Sequence, residues 1–224
     1  MAGRLSGLNV VVTRAGEFMG PAVVELFRSE GAHVVADGRG LFAPGAAADL
    51  VREAGRVDVL IANLTRRNPR ASVVDTPEDE WQSMFDEMVH PLHRLVRAVL
   101  PQMIERRSGK IVVMGSANAL RGTAVRAAYS AARGAQIAYV KNVGVEVAPH
   151  GVNVNIIAQN FVSNPTSYPP EKLASPEMAA QMREVPAGRP AEDWESAALA
   201  LYLSTSESDF FFGQVFPFAG GWAT

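Results

Sequence analysis

Three side chains in the middle of this chain have the types and the spacing to move a proton. Ser116, Tyr129 and Arg133 stand in the pattern S-x12-Y-x3-R. Residues four apart lie on one face of an α-helix, so the phenol and the guanidinium project side by side. A phenol with its ordinary pKa of about 10 is a poor base at neutral pH, and a permanent cation one turn away favours the phenolate and lowers that value. The serine reaches the same place by another route. It closes the apolar run KIVVMG of residues 110–115, which reads as a buried parallel strand, and open α/β sheets bind ligands at the carboxyl ends of their strands. Taken alone, Y-x3-R on an Ala-rich helix describes two surface neighbours just as well. The elements that position the three residues decide between the readings.

Residues 8–13 (LNVVVT) form a short apolar run that ends in a turn, and residues 19–30 carry Val23, Val24, Leu26 and Phe27 at helical spacing. The run HVVA at 33–36 completes a β-α-β unit, and Asp37 stands where a dinucleotide fold places the acid that binds ribose hydroxyls. The first turn is the test for such a cofactor. A turn of the T-G-x3-G-x-G kind uses glycines so that backbone can approach a pyrophosphate. Here it reads TRAGEFMG from Thr13 to Gly20, with Arg14 and Phe18 in place of the first two glycines and Gly20 retained for helix-on-strand packing. The Phe18 ring takes volume that a pyrophosphate or nicotinamide needs; a core aromatic capping the first helix is the other reading. Only about twenty residues, with one helix around 46–54, separate Asp37 from the next strand at 57–62. No further strand fits there, and Asp37 reads as a turn residue or helix cap.

After this strand, residues 65–72 form an arginine-rich polar loop, either a mobile part of the pocket rim or a plain solvated loop. Thr76, Pro77 and the acids at 78–80 mark a helix start, with Thr76 as candidate N-cap, and the helix runs towards Arg106, interrupted or bent near Pro91 and Pro101. His90 and His93 lie three apart on it but lack further ligands, so they read as structural and no metal site is expected. The helix carrying Tyr129 continues to about residue 147, and a strand follows at 152–158. Leu95, Val96 and Val99 on one long helix, and Ile137, Val140 and Val143 on the other, place apolar residues on more than one side. Packing against a second copy is therefore expected. Residues 165–190 are proline-rich and irregular, a lid or pocket wall to which Tyr168 adds an aromatic ring unless it is a surface residue of the loop; a last helix at 192–204 and a last strand at 213–218 close the chain.

These elements predict an α/β fold: a single Rossmann-like domain over residues 1–224, with a doubly wound parallel sheet of about six strands flanked by helices. With 224 residues, 48% of them hydrophobic, the chain can bury a large core. A net charge of −2 with mixed signs announces neither nucleic acid nor an anionic membrane as partner. The absence of cysteine excludes disulfides, thiolate metal sites and cysteine nucleophiles. No signal peptide or membrane-spanning run is read, so a soluble cytoplasmic protein is expected.

The strand-helix alternation and the Ser-Tyr pair resemble short-chain dehydrogenases/reductases along nearly the whole chain. The pair of motifs T-x4-F-x-G (Thr13, Phe18, Gly20) and S-x12-Y-x3-R (Ser116, Tyr129, Arg133) resembles halohydrin dehalogenases in particular, and the compact length and GGWAT ending look most like the B-type subgroup. The resemblance implies a lyase that needs no cofactor and converts vicinal haloalcohols to epoxides and halide, or opens epoxides with azide, cyanide or nitrite. It implies Tyr129 as base, Ser116 as the group holding the substrate oxygen and Arg133 as the tuning cation. It also implies a halide or nucleophile site walled by Phe18 and by Gln159, Asn160, Phe161 and Val162 of the loop after the 152–158 strand, where relatives can have proline in place of Gln159. A homotetramer, a dimer of dimers with a four-helix contact between the two long helices, is expected because their second apolar faces need cover. Two alternatives remain open: an NAD(P)-dependent reductase with an unusual glycine loop, and a catalytically silent Rossmann-like small-molecule sensor.

Overall fold

The β-branched runs form six strands, seen in a computed structural model that describes residues 3–67 and 70–224. They are β1 (Asn9–Val12), β2 (His33–Ala36), β3 (Val59–Ala62), β4 (Gly109–Ser116), β5 (Val152–Gln159) and β6 (Val215–Phe218). All pair in parallel in the order β2-β1-β3-β4-β5-β6. The chain leaves β1 to one side for β2 and returns on its other side as β3, so the crevice where an open α/β sheet binds ligands lies at the carboxyl ends of β1 and β3. The register pairs Ser116 of β4 with Gln159 of β5. The hydroxyl and the start of the loop after β5 are therefore neighbours.

Both sheet faces are covered, which is why the central strands are apolar without alternation. Helices α1 (Gly20–Ser29) and α8 (Asp193–Leu203) pack Val23, Phe27, Ala197 and Ala200 against Val10, Ile61 and Val112. On the other face, α2 (Ala46–Ala54), α4 (His90–Glu105) and α5 (Ala127–Val147) bury Leu50, Leu95 and Val140 against Leu60, Ile111 and Val154. Successive residues of a strand point to opposite faces, so Leu60 joins one core and Ile61 the other.

Several expectations resolve in detail. Of the interruption or bend expected near Pro91, the structure has the interruption: α3 (Glu78–Met88) and α4 meet at Val89, with Pro91 in the first turn of α4 where its missing N–H costs nothing. Pro101 sits inside α4 without ending it, and Pro77, rather than Thr76, is the N-cap of α3, because the Thr76 hydroxyl donates to the Ser72 carbonyl at 2.8 Å. The 165–190 segment is not irregular: it holds α6 (Pro170–Leu173) and α7 (Pro176–Met182), the latter capped by Ser175. Met178, Met182 and Val185 form a small separate cluster with Phe161 and Trp222, so this segment is a packed wall. Finally, Leu95, Val96, Val99, Val140 and Val143 are all buried in the chain's own core, and of the positions expected to need a second copy only Ile137 stays half-buried.

Gly20 is required by the turn that precedes it. A Cβ there would lie 2.4 Å from the Arg14 carbonyl oxygen and 2.6 Å from that of Ala15, so the close approach is to the turn's own backbone. Nothing lies within 4 Å of a Cβ at exposed Gly16. Urea unfolding should show Gly20→Ala destabilised by about 1–3 kcal/mol, and Gly16→Ala within about 0.5 kcal/mol of the parent. Equal effects at the two positions would contradict this packing.

Candidate active site

Ser116 ends β4 at 4% exposure, and its Oγ accepts hydrogen bonds from the Asn118 backbone N–H and the Asn118 side-chain amide, both at 3.3 Å. With its two lone pairs engaged, the hydroxyl keeps its proton to give away. Tyr129 and Arg133 occupy the first two turns of α5 on its inner face, and Arg133 Nε donates to the Tyr129 oxygen at 3.0 Å. Arg133 is 3% exposed, and a buried cation must be held by acceptors. Its Nη1 donates to the carbonyls of Leu64 and Met114, both at 3.0 Å, and to Gln136 Oε1 at 2.8 Å. The fully buried Gln136 in turn donates to the carbonyls of Met88 at 2.9 Å and Leu64 at 3.3 Å. The backbones of β3's exit, β4 and α3 thus fix the guanidinium in place.

Burial pushes the Tyr129 phenol up, but the Arg133 charge and hydrogen bonds from Thr65, Arg133 and Ser116 outweigh it and hold the pKa below the usual phenol value. Thr65 and Gln136 are site residues the sequence reading missed. Thr65 looked like the start of a solvated loop, yet it is 7% exposed. Gln136 carried a signal: three residues beyond Arg133, it lies on the same helix face.

Asn63, at the exit of β3, shapes the opposite wall. Its backbone N–H donates to Thr13 Oγ1 at 3.0 Å, and its side chain donates to the carbonyls of Arg14 at 3.1 Å and Glu17 at 2.9 Å. The turn so clamped holds Arg14 at φ 46° and Phe18 at φ 48°, left-handed conformations that side chains adopt at a cost. The Phe18 N–H donates to Thr166 Oγ1 at 2.9 Å, and its largely buried ring lines the cavity. Built this way, the turn does not fit a pyrophosphate, since the ring fills the approach and the Phe18 amide is already committed. Asp37 is neither a plain turn residue nor a cap. It is 5% exposed, with one carboxylate oxygen 2.5 Å from Arg39 Nε, and Arg39 also reaches Glu53 at 2.6 Å.

The cavity has a volume of about 560 Å³ and brings together Ser116, Tyr129 and Arg133 with Phe18, Gln159, Asn160, Phe161 and Val162. Gln159 Oε1 accepts from Ser196 Oγ at 2.7 Å, and the Asn160 N–H donates to the Phe218 carbonyl at 3.1 Å. Phe161, at φ 53°, meets the rings of Tyr168 and Trp222 edge-on with centroids 5.9 Å away in each case. Its N–H and that of Val162 donate to no other group among the described residues. His90 and His93 are bonded to Asp86 and Tyr139, and neither lines the cavity.

If Arg133 sets the Tyr129 pKa, Arg133→Gln should raise it, and Thr65→Val should raise it less. Ultraviolet titration or tyrosine Cζ NMR reads the change, each unit being about a tenfold loss of phenolate below the pKa. A phenol titrating alike in all three folded proteins would refute the coupling.

Comparison with known proteins places the fold in a family. The family described as Enoyl-(Acyl carrier protein) reductase matches residues 7–223. The 3-oxoacyl-[acyl-carrier-protein] reductase FabG of Vibrio harveyi is 28% identical over 97% of this chain and 98% of its own length. Among solved structures, one named "Dehalogenation enzyme" superposes with a TM-score of 0.92 at 29% identity, covering 98% of this chain and all of that one. A Brucella melitensis 3-oxoacyl-[acyl-carrier protein] reductase with bound NAD, at TM-score 0.84 and 23% identity over 97% of this chain and 92% of its own, shares the fold. The chain therefore belongs to the short-chain dehydrogenase/reductase superfamily, in the family whose description is Enoyl-(Acyl carrier protein) reductase.

Proposed function

We propose that this protein converts vicinal haloalcohols to epoxides and halide, and in reverse opens epoxides with halide, azide, cyanide or nitrite, without a nicotinamide cofactor. The observation that carries the reading is the pairing of a buried phenol, tuned below its ordinary pKa, with a turn in which Phe18 stands where a dinucleotide would lie. The likeness to a structure named "Dehalogenation enzyme" supports it.

In the proposed reaction the Tyr129 phenolate accepts the substrate's hydroxyl proton while Ser116 donates a hydrogen bond to the same oxygen. The oxygen attacks the neighbouring carbon, a C–O bond forms, and the C–halogen bond breaks with its electron pair leaving on the halide. Arg133 touches the phenol rather than the substrate and keeps the base ionised. The halide is received by the N–H groups of Phe161 and Val162 and by aromatic edges that include Phe18, since a large, weakly hydrated anion gains from N–H dipoles and the positive rims of rings. Gln159 and Asn160 shape that wall. A homotetramer through α4 and α5 is proposed as the assembly; half-buried Leu100, Ile137 and Tyr139 on these helices are apolar surface that a partner could cover. Light scattering should return the mass of four chains, and a monomer at concentrations where the protein is active would refute it.

A second reading, an NAD(P)-dependent reductase, is favoured by the names of the sequence relatives. Incubation with a vicinal bromoalcohol in nucleotide-free buffer separates the two. Stoichiometric release of bromide and acid is expected, and Tyr129→Phe should lower the rate by about 10²–10⁴-fold or more. Turnover of a carbonyl substrate that appears only with added NADPH would establish the reductase, and no turnover under either condition would leave a small-molecule sensor.

A further inference from the structure

The mouth of the cavity carries a charge that the proton transfer does not call for. The protein as a whole has a net charge of −2, yet Arg67, Arg70, Arg126 and Lys172 all line the cavity that holds Tyr129. They come from three separate parts of the chain: the loop after β3, the residue that caps α5, and α6. Arg66 also lines it but is paired with Glu80 at 3.2 Å and Glu87 at 3.4 Å. Among the described residues, the one carboxylate lining the cavity, Glu184, lies 3.2 Å from Arg121.

Among the described residues no carboxylate pairs with Arg67, Arg70 or Lys172. Lys172 Nζ instead donates to the Ser167 carbonyl at 2.5 Å and stands 4.5 Å from the Tyr168 ring centroid. The cations are near enough to feel one another. Burial and the charge of Arg70 hold the Arg126 guanidinium below its ordinary pKa, and burial, Arg126 and Arg67 do the same to the Lys172 ammonium. Val125, a β-branched residue at φ 57°, is the strained backbone position immediately before Arg126. Cations that repel one another at the entrance to a partly enclosed pocket focus an attractive field on an anion.

We infer that the substrate carries a fixed negative charge, a carboxylate or a phosphate, on the part of the molecule remote from the carbon that bears the leaving group. This rests on the proposed dehalogenation and names its substrate class. The halide, received on the loop after β5, departs, whereas the charge gripped by Arg70, Arg126 and Lys172 stays on the epoxide. The anionic group takes no part in bond making or breaking. Arginine suits it because its planar fork can bind a carboxylate or phosphate through two parallel hydrogen bonds.

Two matched comparisons test this. Calorimetric titration at low ionic strength with 3-hydroxybutanoate against 3-hydroxybutanamide, and with glycerol 3-phosphate against glycerol, reads binding without any reaction. Each anion should bind about tenfold tighter than its neutral partner, with the advantage shrinking in salt. The larger of the two ratios identifies carboxylate or phosphate as the group preferred. Both ratios should fall towards one in Arg126→Gln/Lys172→Gln, and in Arg70→Gln should that double variant not fold. The kinetic arm compares bromide release from 4-bromo-3-hydroxybutanoate and from its amide, with kcat/KM for the acid expected to be higher by a similar factor. Equal binding and equal kcat/KM within each pair would overturn the inference, while bromide release from the amide would leave the dehalogenase reading intact. Charge-selective binding without bromide release from either compound would sustain the anion site and overturn the dehalogenation.

Discussion

The geometry of the site depends on how a buried arginine is satisfied. A guanidinium at 3% exposure needs acceptors fixed before it arrives, and Arg133 finds them in the carbonyls of Leu64 and Met114 and in Gln136. These acceptors belong to the exit of β3, to β4 and to α5 itself, so the cation sits where two central strands and the long helix meet. Removing any one of these elements would strand a buried charge, which is far more costly than losing an ordinary contact. The position of Tyr129 follows, because its oxygen is bonded to a side chain that cannot move. The electrostatics follow as well: desolvation alone would push the phenol up, and the fixed cation with three hydrogen-bonding side chains turns the balance the other way.

The opposite wall is held by a second buried polar residue. Asn63 ties β3 to the β1–α1 turn through three hydrogen bonds, and the turn's left-handed residues are supported by those bonds and by Thr166. A glycine-rich turn would leave its amides facing a ligand; this one spends them on the protein and puts a ring in the vacated space. The same fold that holds NAD in another protein here presents a cavity of about 560 Å³ with an aromatic wall on one side and a buried phenol on the other. The packed cluster of α7, Phe161 and Trp222 closes it further. The cation-rich mouth lies between these walls and solvent, so the enclosure shapes the charge as well as the volume.

Several of these features were legible in the residues. The apolar runs and their spacing gave six strands, and the short interval after Asp37 correctly left no room for another strand before β3. Periodicity placed the ends of α1 and α2 to within a residue or so, and Tyr129 and Arg133 on one helix face needed only the 3.6-residue turn. Where the pattern left the outcome open, packing decided it. Pro91 is compatible with either a break or a bend, because pattern does not reveal where a proline's missing donor will be absorbed, and the structure absorbs it by starting a new helix. Most of the apolar positions on the two long helices lie in the chain's own core, with Ile137 half-buried, since periodicity counts apolar faces without saying how far the sheet wraps around them.

The sequence by itself determined the local facts: which segments are strands and helices, which residue types share a face, that Phe18 stands where a glycine would, and that a cation lies one turn from a phenol. It determined them because they depend on neighbours within a few residues, where backbone geometry is periodic. Tertiary structure alone decided the rest. It set Ser116 beside Gln159 through strand register, brought Thr65 from another loop to the phenol, supplied Leu64 and Met114 as acceptors for Arg133, and gathered Arg67, Arg70, Arg126 and Lys172 at one mouth. Those meetings join residues far apart along the chain, and no local spacing encodes them. They arise only when parallel strands in a crossed-over order bring several loops to the same end of one sheet.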